Sequence, residues 1–218
     1  MLTSSEENYM KALFYLQQKA SKGVSTSALA QRLDTKPSSA TDMLQKLSEK
    51  GLVDYVKYKG ALLSTDGYQL AAHVVRKHRL WEVFLVKTLG FSWDQVHDIA
   101  EQLEHVHAPL LVEKLDAFLG HPRRDPHGDP IPDKNGQIHQ VEKALLSTQQ
   151  NDQESILVSI KDANDDFLKY LNQKNISLGA FIKVIALEPF DGSMTVEVNH
   201  ETHYFSSTIT NNLYVQSL

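Results

Sequence analysis

The 218-residue chain contains no cysteine, so it has neither a disulfide framework nor a thiolate metal site, and any metal must be held by nitrogen and oxygen ligands. Nor does any apolar run approach the ~18 residues that a transmembrane helix needs. Met1-Leu2-Thr3-Ser4-Ser5-Glu6-Glu7 lacks the basic and apolar regions of a secretory signal. A cytoplasmic protein without a membrane partner is expected. Strong compositional bias is missing too: 41% of residues are hydrophobic and 22% charged, which argues against a disordered chain and allows one large domain or two to three small ones.

An overall positive charge is also absent, but the net −5 conceals a division. Residues 1–80 hold 12 Lys and Arg against 7 Asp and Glu, whereas residues 81–218 hold 10 against 20. A basic N-terminal module joined to an acidic remainder fits a DNA-binding head on a sensing body.

In the basic module, Ser4 or Ser5 can cap a helix whose apolar positions, among them Tyr9, Leu13 and Leu16, recur at three- and four-residue spacing up to Ala20. Ser25 caps a short second helix with Leu29, Ala30 and Leu33 inward, and Asp34-Thr35-Lys36 turns the chain. Pro37-Ser38-Ser39 opens a third helix, with Ala40, Met43, Leu44 and Leu47 inward until Gly51 ends it. Two short β runs about Lys59-Gly60 follow as a hairpin. Helix-turn-helix plus hairpin is a winged helix, whose third helix can enter the major groove while Lys57 and Lys59 reach phosphates. Lys36, Ser38, Ser39, Thr41, Asp42, Gln45 and Lys46 face outward on the third helix. The small hydroxyls permit close approach, and Asp42 has a role only in base readout, accepting from a cytosine amino group. Double-stranded DNA is the expected partner; a trihelical core used for protein contacts is the alternative.

The acidic remainder starts with a long helix from Thr65-Asp66-Gly67 to Leu89, on which His78 and Glu82 stand four apart, a spacing that suits a shared cation or a surface ion pair. A further helix runs from Ser92-Trp93-Asp94. The amphipathic stretch from Leu110 to Leu119 adds apolar residues beyond one small core, which suggests a dimer interface. Residues 121–133, with Pro122, Pro126, Pro130 and Pro132, form a boundary whose Asp, Pro and Gly are explained more simply by turn chemistry than by a metal site. Polar residues up to 154 read as a linker, and several short strands over 155–218 fit an SH3-like module.

Between them lies His97-Asp98-Ile99-Ala100-Glu101-Gln102-Leu103-Glu104-His105. On a helix, His97, Glu101, Glu104 and His105 fall within an arc of about 100°, opposite the apolar Ile99, Ala100, Leu103 and Val106. Two imidazoles and two carboxylates suit a borderline divalent cation, and a solvated charged face is the bland reading.

These stretches resemble the diphtheria toxin repressor family of metalloregulators, which includes the iron-dependent regulators and the manganese transport regulators. The resemblance covers nearly the whole chain. It rests on the Pro37-Ser38-Ser39 helix opening, Arg76-Lys77-His78-Arg79-Leu80-x-Glu82, Val96-His97-Asp98-x3-Gln102-Leu103-Glu104-His105-Val106 and Asp125-Pro126-His127-Gly128-Asp129-Pro130-Ile131-Pro132. It implies a mainly α protein with a small β domain. A winged helix-turn-helix over 1–70 is followed by a helical dimerisation and metal-binding domain over 71–140. A linker over 141–154 then leads to a C-terminal SH3-like, FeoA-type β-barrel over 155–218. The implied function is metal-dependent transcriptional repression by a cytoplasmic homodimer. It would bind a palindromic operator with Mn(II), or secondly Fe(II), as corepressor, one to two ions per chain, and control metal-uptake genes.

The family's primary site maps onto Glu101, Glu104 and His105, joined by Asn8 from the first helix, and its second site onto His78, Glu82 and His97. Glutamate at 101, where iron-type members carry cysteine, leans towards Mn(II). Asn8 replaces the acid of manganese-type members, and Lys11 stands where they carry a further Glu. In three-domain members the SH3-like domain donates ligands, for which Asp162 is the candidate.

Two rivals are a winged-helix regulator sensing a non-metal ligand and a carboxylate-bridged metalloenzyme. The enzyme needs paired Glu-x-x-His motifs on packed helices. Glu104-x-x-His107 fits once, with His107 on the apolar side, and Glu197-x-x-His200 falls in a strand and turn. Neither an enzyme nor a small-molecule substrate is expected.

Overall fold

The computed structural model describes residues 2–18, 20, 23–57, 59–139 and 142–218. Tyr58 of the expected wing and the expected domain boundary at 140/141 lie outside the described residues. The chain divides into two compact units, Met1–Trp81 with Ala100–Phe118 and Ile131–Ile138, and Glu82–Ile99 with Leu119–Pro130 and His139–Leu218.

The first unit begins with α1 (Ser4–Gln17), capped by Thr3 rather than by either serine: the Thr3 hydroxyl accepts from the Glu6 backbone and the Glu6 carboxylate accepts from Thr3, a reciprocal capping box. Helices α2 (Thr26–Arg32), capped by Ser25, and α3 (Pro37–Glu49), with Pro37 in its first turn, pack on α1 through Met10, Leu13, Phe14, Leu29, Ala40, Leu44 and Leu47, all fully or almost fully buried. Strands β1 (Val53–Val56) and β2 (Gly60–Leu63) pair antiparallel from Val53↔Leu63 to Val56↔Gly60, with Lys57 and Lys59 in turn conformation beside their joined ends. Helix α4 (Thr65–Lys87) contributes its residues up to Trp81 to this unit. Gly67 is required there, because a Cβ would lie 1.9 Å from the Leu52 carbonyl oxygen.

Helix α5 (His97–Leu103) is shorter than the charged face suggests; Glu104 and His105 lie in the turn beyond its last residue, so the single-helix arc does not describe them. Helix α6 (Pro109–Phe118) buries Leu115 and leaves Leu110, Leu111 and Phe118 exposed.

The second unit is built on an antiparallel six-stranded sheet ordered β3 (Ala144–Leu145), β8 (Leu213–Ser217), β4 (Glu154–Ile160), β5 (Phe181–Leu187), β6 (Met194–Val198), β7 (Glu201–Phe205). Irregularities between Leu157 and Ser159 and between Val184 and Ala186 bend the central strands. Helix α7 (Asp165–Gln173), capped by Asn164, lays Leu168 and Leu171 on the core of Leu157, Ile182, Val184, Val196 and Phe205, and the short α8 (Ser207–Thr210) precedes β8. The stretch expected as a linker carries β3 and a 3-10 turn at Leu146–Thr148, with Leu146 fully buried. Among the described residues, no helix is long and apolar enough to cross a membrane.

Candidate metal centre and nucleic-acid interface

In the winged helix, Lys36, Ser38, Ser39, Asp42, Gln45, Lys57 and Lys59 are exposed. Two of the expected DNA-facing side chains have internal duties as well. The Thr41 hydroxyl donates to the Pro37 carbonyl at 2.9 Å, and the Lys46 ammonium lies 2.9 Å from Glu6. Glu6 is fully buried, and Lys50 reaches the same carboxylate oxygen at 2.7 Å. The Lys50 ammonium holds the Glu6 carboxyl down at about 2, against burial, which pushes it up. Glu6 therefore fixes the C-terminal end of the recognition helix to the start of α1.

The next residue, Glu7, serves a different element. Its Oε2 lies 2.6 Å from His105 Nδ1 and its Oε1 3.4 Å from the Lys77 ammonium. One turn later, Lys11 places its ammonium 2.9 Å from Glu101 Oε1 and 2.8 Å from Glu104 Oε2. Glu104 Oε1 meets the same ammonium at 2.7 Å as an ion pair, off the hydrogen-bonding axis. His78 Nδ1 approaches Glu104 Oε2 at 2.6 Å. Glu104 is fully buried, and His78 nearly so. A carboxylate can only accept, so Nδ1 is the donating nitrogen in both histidines. Asn8 Oδ1 is buried and has no hydrogen-bond partner among the described residues, a condition that a cation or a water would relieve. The first unit thus brings Glu101, Glu104, His105 and His78 together around side chains of α1, with Lys11 supplying positive charge at their centre.

Glu82, His97, Asp125 and His127 belong to the second unit. His97, well exposed, has Nδ1 3.7 Å from Glu82 Oε1. Buried Glu82, Asp125 and His127 bring one ligand atom each to within 4.8 Å of one another. The His127 tautomer follows from its neighbours. Its Nε2 lies 2.9 Å from the Trp93 carbonyl oxygen, which can only accept, so Nε2 carries the hydrogen. Nδ1 faces Glu82 Oε1 at 3.8 Å and Asp125 Oδ1 at 3.9 Å, and in the neutral ring it carries the lone pair. A neutral His127 ring and two carboxylate oxygens form a donor set that a cation would hold together, and a backbone carbonyl fixing the far nitrogen is the usual support of a metal-ligating histidine. Oxygen and imidazole donors at these spacings could hold a hard or borderline divalent ion.

Local sequence explains its rigidity. Asp125 Oδ1 accepts the backbone hydrogens of His127 and Asp129 at 2.8 and 3.0 Å, so the turn chemistry expected of this proline-rich stretch is present. The same turn aims His127. It is pinned to β4 by Arg124 on the Val158 carbonyl at 2.8 Å and by the His127 carbonyl on Ile160 N–H at 3.0 Å. Gly128, at φ +87°, is needed because a Cβ would lie 2.1 Å from Val158 O. Asp125 and His127 are the residues that sequence reasoning set aside; the pairing of an acid and an imidazole two apart in a cysteine-free chain was the available signal. Asp162 is exposed, and its backbone hydrogen bonds to Asn212 Oδ1 at 2.8 Å; the Glu82 cluster is formed without it.

Comparison with known proteins gives three consecutive family matches. Residues 1–61 match the N-terminal DNA binding domain of iron dependent repressors, residues 64–133 their metal binding and dimerisation domain, and residues 145–216 the FeoA domain. The transcriptional regulator MntR of Oceanobacillus iheyensis is 38% identical over 106 residues, 48% of this chain and 70% of that protein. The iron-dependent repressor IdeR of Mycobacterium leprae is 30% identical over 133 residues, 60% of this chain and 56% of its own length. Among solved structures, a manganese-dependent transcriptional repressor in complex with manganese is 37% identical and superposes with a TM-score of 0.87, covering 97% of this chain and 99% of that one.

Proposed function

The chain belongs to the diphtheria toxin repressor and manganese transport regulator family of metal-dependent transcriptional repressors, and from that premise we propose that it is a cytoplasmic, manganese-responsive homodimer that binds a palindromic operator and controls metal-uptake genes. The observation that carries the metal reading is the convergence of His127 Nδ1 on the buried carboxylates of Glu82 and Asp125. Glu82, Asp125 and His127 would hold the ion, with His97 beside Glu82. When bound, it supplies the positive charge that the converging donors require. We read carboxylate and imidazole donors as suiting Mn(II) first and Fe(II) second, and the cluster holds no thiolate or thioether that would select Cu(I). The manganese named for the similar solved structure favours the same order.

The chain's own residues supply the rest of the mechanism. Within the first unit, α1 is a bar with two attachments: Glu6 grips Lys46 and Lys50 of the recognition helix, while Glu7 and Lys11 grip His105, Glu101 and Glu104. A displacement of the 101–105 segment is therefore passed to the DNA-reading helix. A state in which Glu82, Asp125 and His127 converge is favoured by any ligand that binds it preferentially, and the population shifts by that differential affinity. The exposed Leu110, Leu111 and Phe118 of α6 support a second copy as partner, and a two-fold protein reads a two-fold DNA site.

Selection of bound duplexes from a random library, run once with Mn(II) and once with chelator, tests this reading. An inverted repeat enriched only with metal is the expected outcome. Equal enrichment with chelator would overturn metal dependence, and a single unrepeated half-site would overturn the dimer.

A further inference from the structure

We propose that Lys11 is a built-in cation that takes the place of a metal ion between Glu101 and Glu104, making this cluster a permanent strut rather than a metal site. The family reading leads one to expect metal at the residues following α5, and the inference rests on that reading for this expectation alone.

Charge and space both favour the ammonium over an ion. The Lys11 side chain is 10% exposed and the Glu104 side chain 0%, so this ammonium is held away from bulk water against a fully buried carboxylate. It contacts three carboxylate oxygens at 2.7–2.9 Å: both oxygens of Glu104 and one of Glu101. Those lone pairs are the ones a divalent ion would need. An ion placed on them would sit within bonding distance of the same oxygens as the ammonium, and the two positive charges would repel at a separation too short for water to screen. Both histidines donate through Nδ1, His105 to Glu7 and His78 to Glu104, and His105 Nε2 lies 3.8 Å from Glu104 Oε1, so it is the ammonium on the carboxylate oxygens and not the imidazoles that occupies the position of an ion. With Lys77 also on Glu7, the three carboxylates Glu7, Glu101 and Glu104 face two permanent cations.

The consequence is functional. In this chain the joint between α1 and the 101–105 segment is closed by a covalently attached charge, present whether or not metal is. Control then passes to the Glu82, Asp125 and His127 cluster of the second unit, which the Lys11 ammonium does not occupy. A carboxylate at position 11 would reverse the arrangement, removing the resident charge and adding a ligand.

The test counts Mn(II) ions bound per chain by calorimetry, with elemental analysis of the dialysed complex, on the full-length protein and three variants whose folding is checked by circular dichroism. Glu104→Gln is expected to leave the wild-type count unchanged, because its amide oxygen still accepts from Lys11 and no ion is lost. Lys11→Glu is expected to bind one ion more than wild type. Lys11→Met, which removes the charge without adding a ligand, keeps the comparison readable if the glutamate variant fails to fold, and it too should gain an ion. A wild-type count that falls by one in Glu104→Gln would overturn the proposal, as would folded Lys11 variants that gain nothing. Because each readout is a difference between variants, a wild type showing no metal-stimulated DNA binding would defeat the proposed function and leave this comparison standing.

Discussion

Adjacent residues on α1 do separate work. Glu6 is buried against α3 and Glu7 against His105, because consecutive positions on a helix are 100° apart and face different neighbours. The Glu6 carboxyl titrates near 2 when folded and at its ordinary 4.5 otherwise. Its stabilisation is therefore complete above about pH 4.5, declines below it and is gone once the pH has fallen through about 2. Glu6→Gln is expected to cost about 1.5–3 kcal/mol at neutral pH, the range for hydrogen bonds to charged groups. Thermal melts of the two proteins should differ at pH 7 and converge as the pH falls below 4.5; a constant difference would contradict the ion-pair account. At this scale the sequence was legible where chemistry had one reading. Glu101, Glu104, His105, His78 and Glu82 stood out as charged groups at helical spacing, and Lys11 as a departure from the family pattern. His127 did not stand out, because Asp, Pro and Gly around it already accounted for a turn, and a turn residue can also be a ligand.

Elements were more legible in kind than in extent. The helix-turn-helix and hairpin were written in caps and punctuation, Ser25, Pro37 and Gly51, which act locally. Helix α5 was overestimated because the periodicity of His97 to His105 continues past Leu103, where the chain leaves the helix and Glu104 is instead held by Lys11 and His78. Strand β3 lay hidden in a polar stretch, since a two-residue strand is specified by its partner β8 rather than by its own pattern. The turn at 125–129 is an element whose shape sets a side chain. Gly128→Ala would put a Cβ against Val158 O at a backbone angle that alanine resists, and is expected to cost about 1–3 kcal/mol while weakening Mn(II) binding. Melting and calorimetry on one preparation check both; an unchanged affinity would separate the turn from the site. In the wing, Lys57→Ala and Lys59→Ala should each weaken binding to every duplex and flatten the salt dependence by about 0.9 in the log–log slope. Anisotropy at several salt concentrations measures it, and an unaltered slope would count against phosphate contact.

At the scale of the whole molecule, the charge division between the basic first 80 residues and the acidic remainder corresponds to two tasks, holding DNA and holding a cation. The first unit carries the reading helix and the bar that steadies it; the second carries the cluster of Glu82, Asp125 and His127. The link between those tasks is the central claim. Mn(II) titration of a labelled operator duplex followed by anisotropy, for wild type and His127→Ala, tests it most directly. The account predicts that Mn(II) tightens wild-type binding at least tenfold, equivalent to about 1.4 kcal/mol, and that His127→Ala binds in manganese as wild type does in chelator. A His127→Ala protein that retains the full manganese response would contradict it.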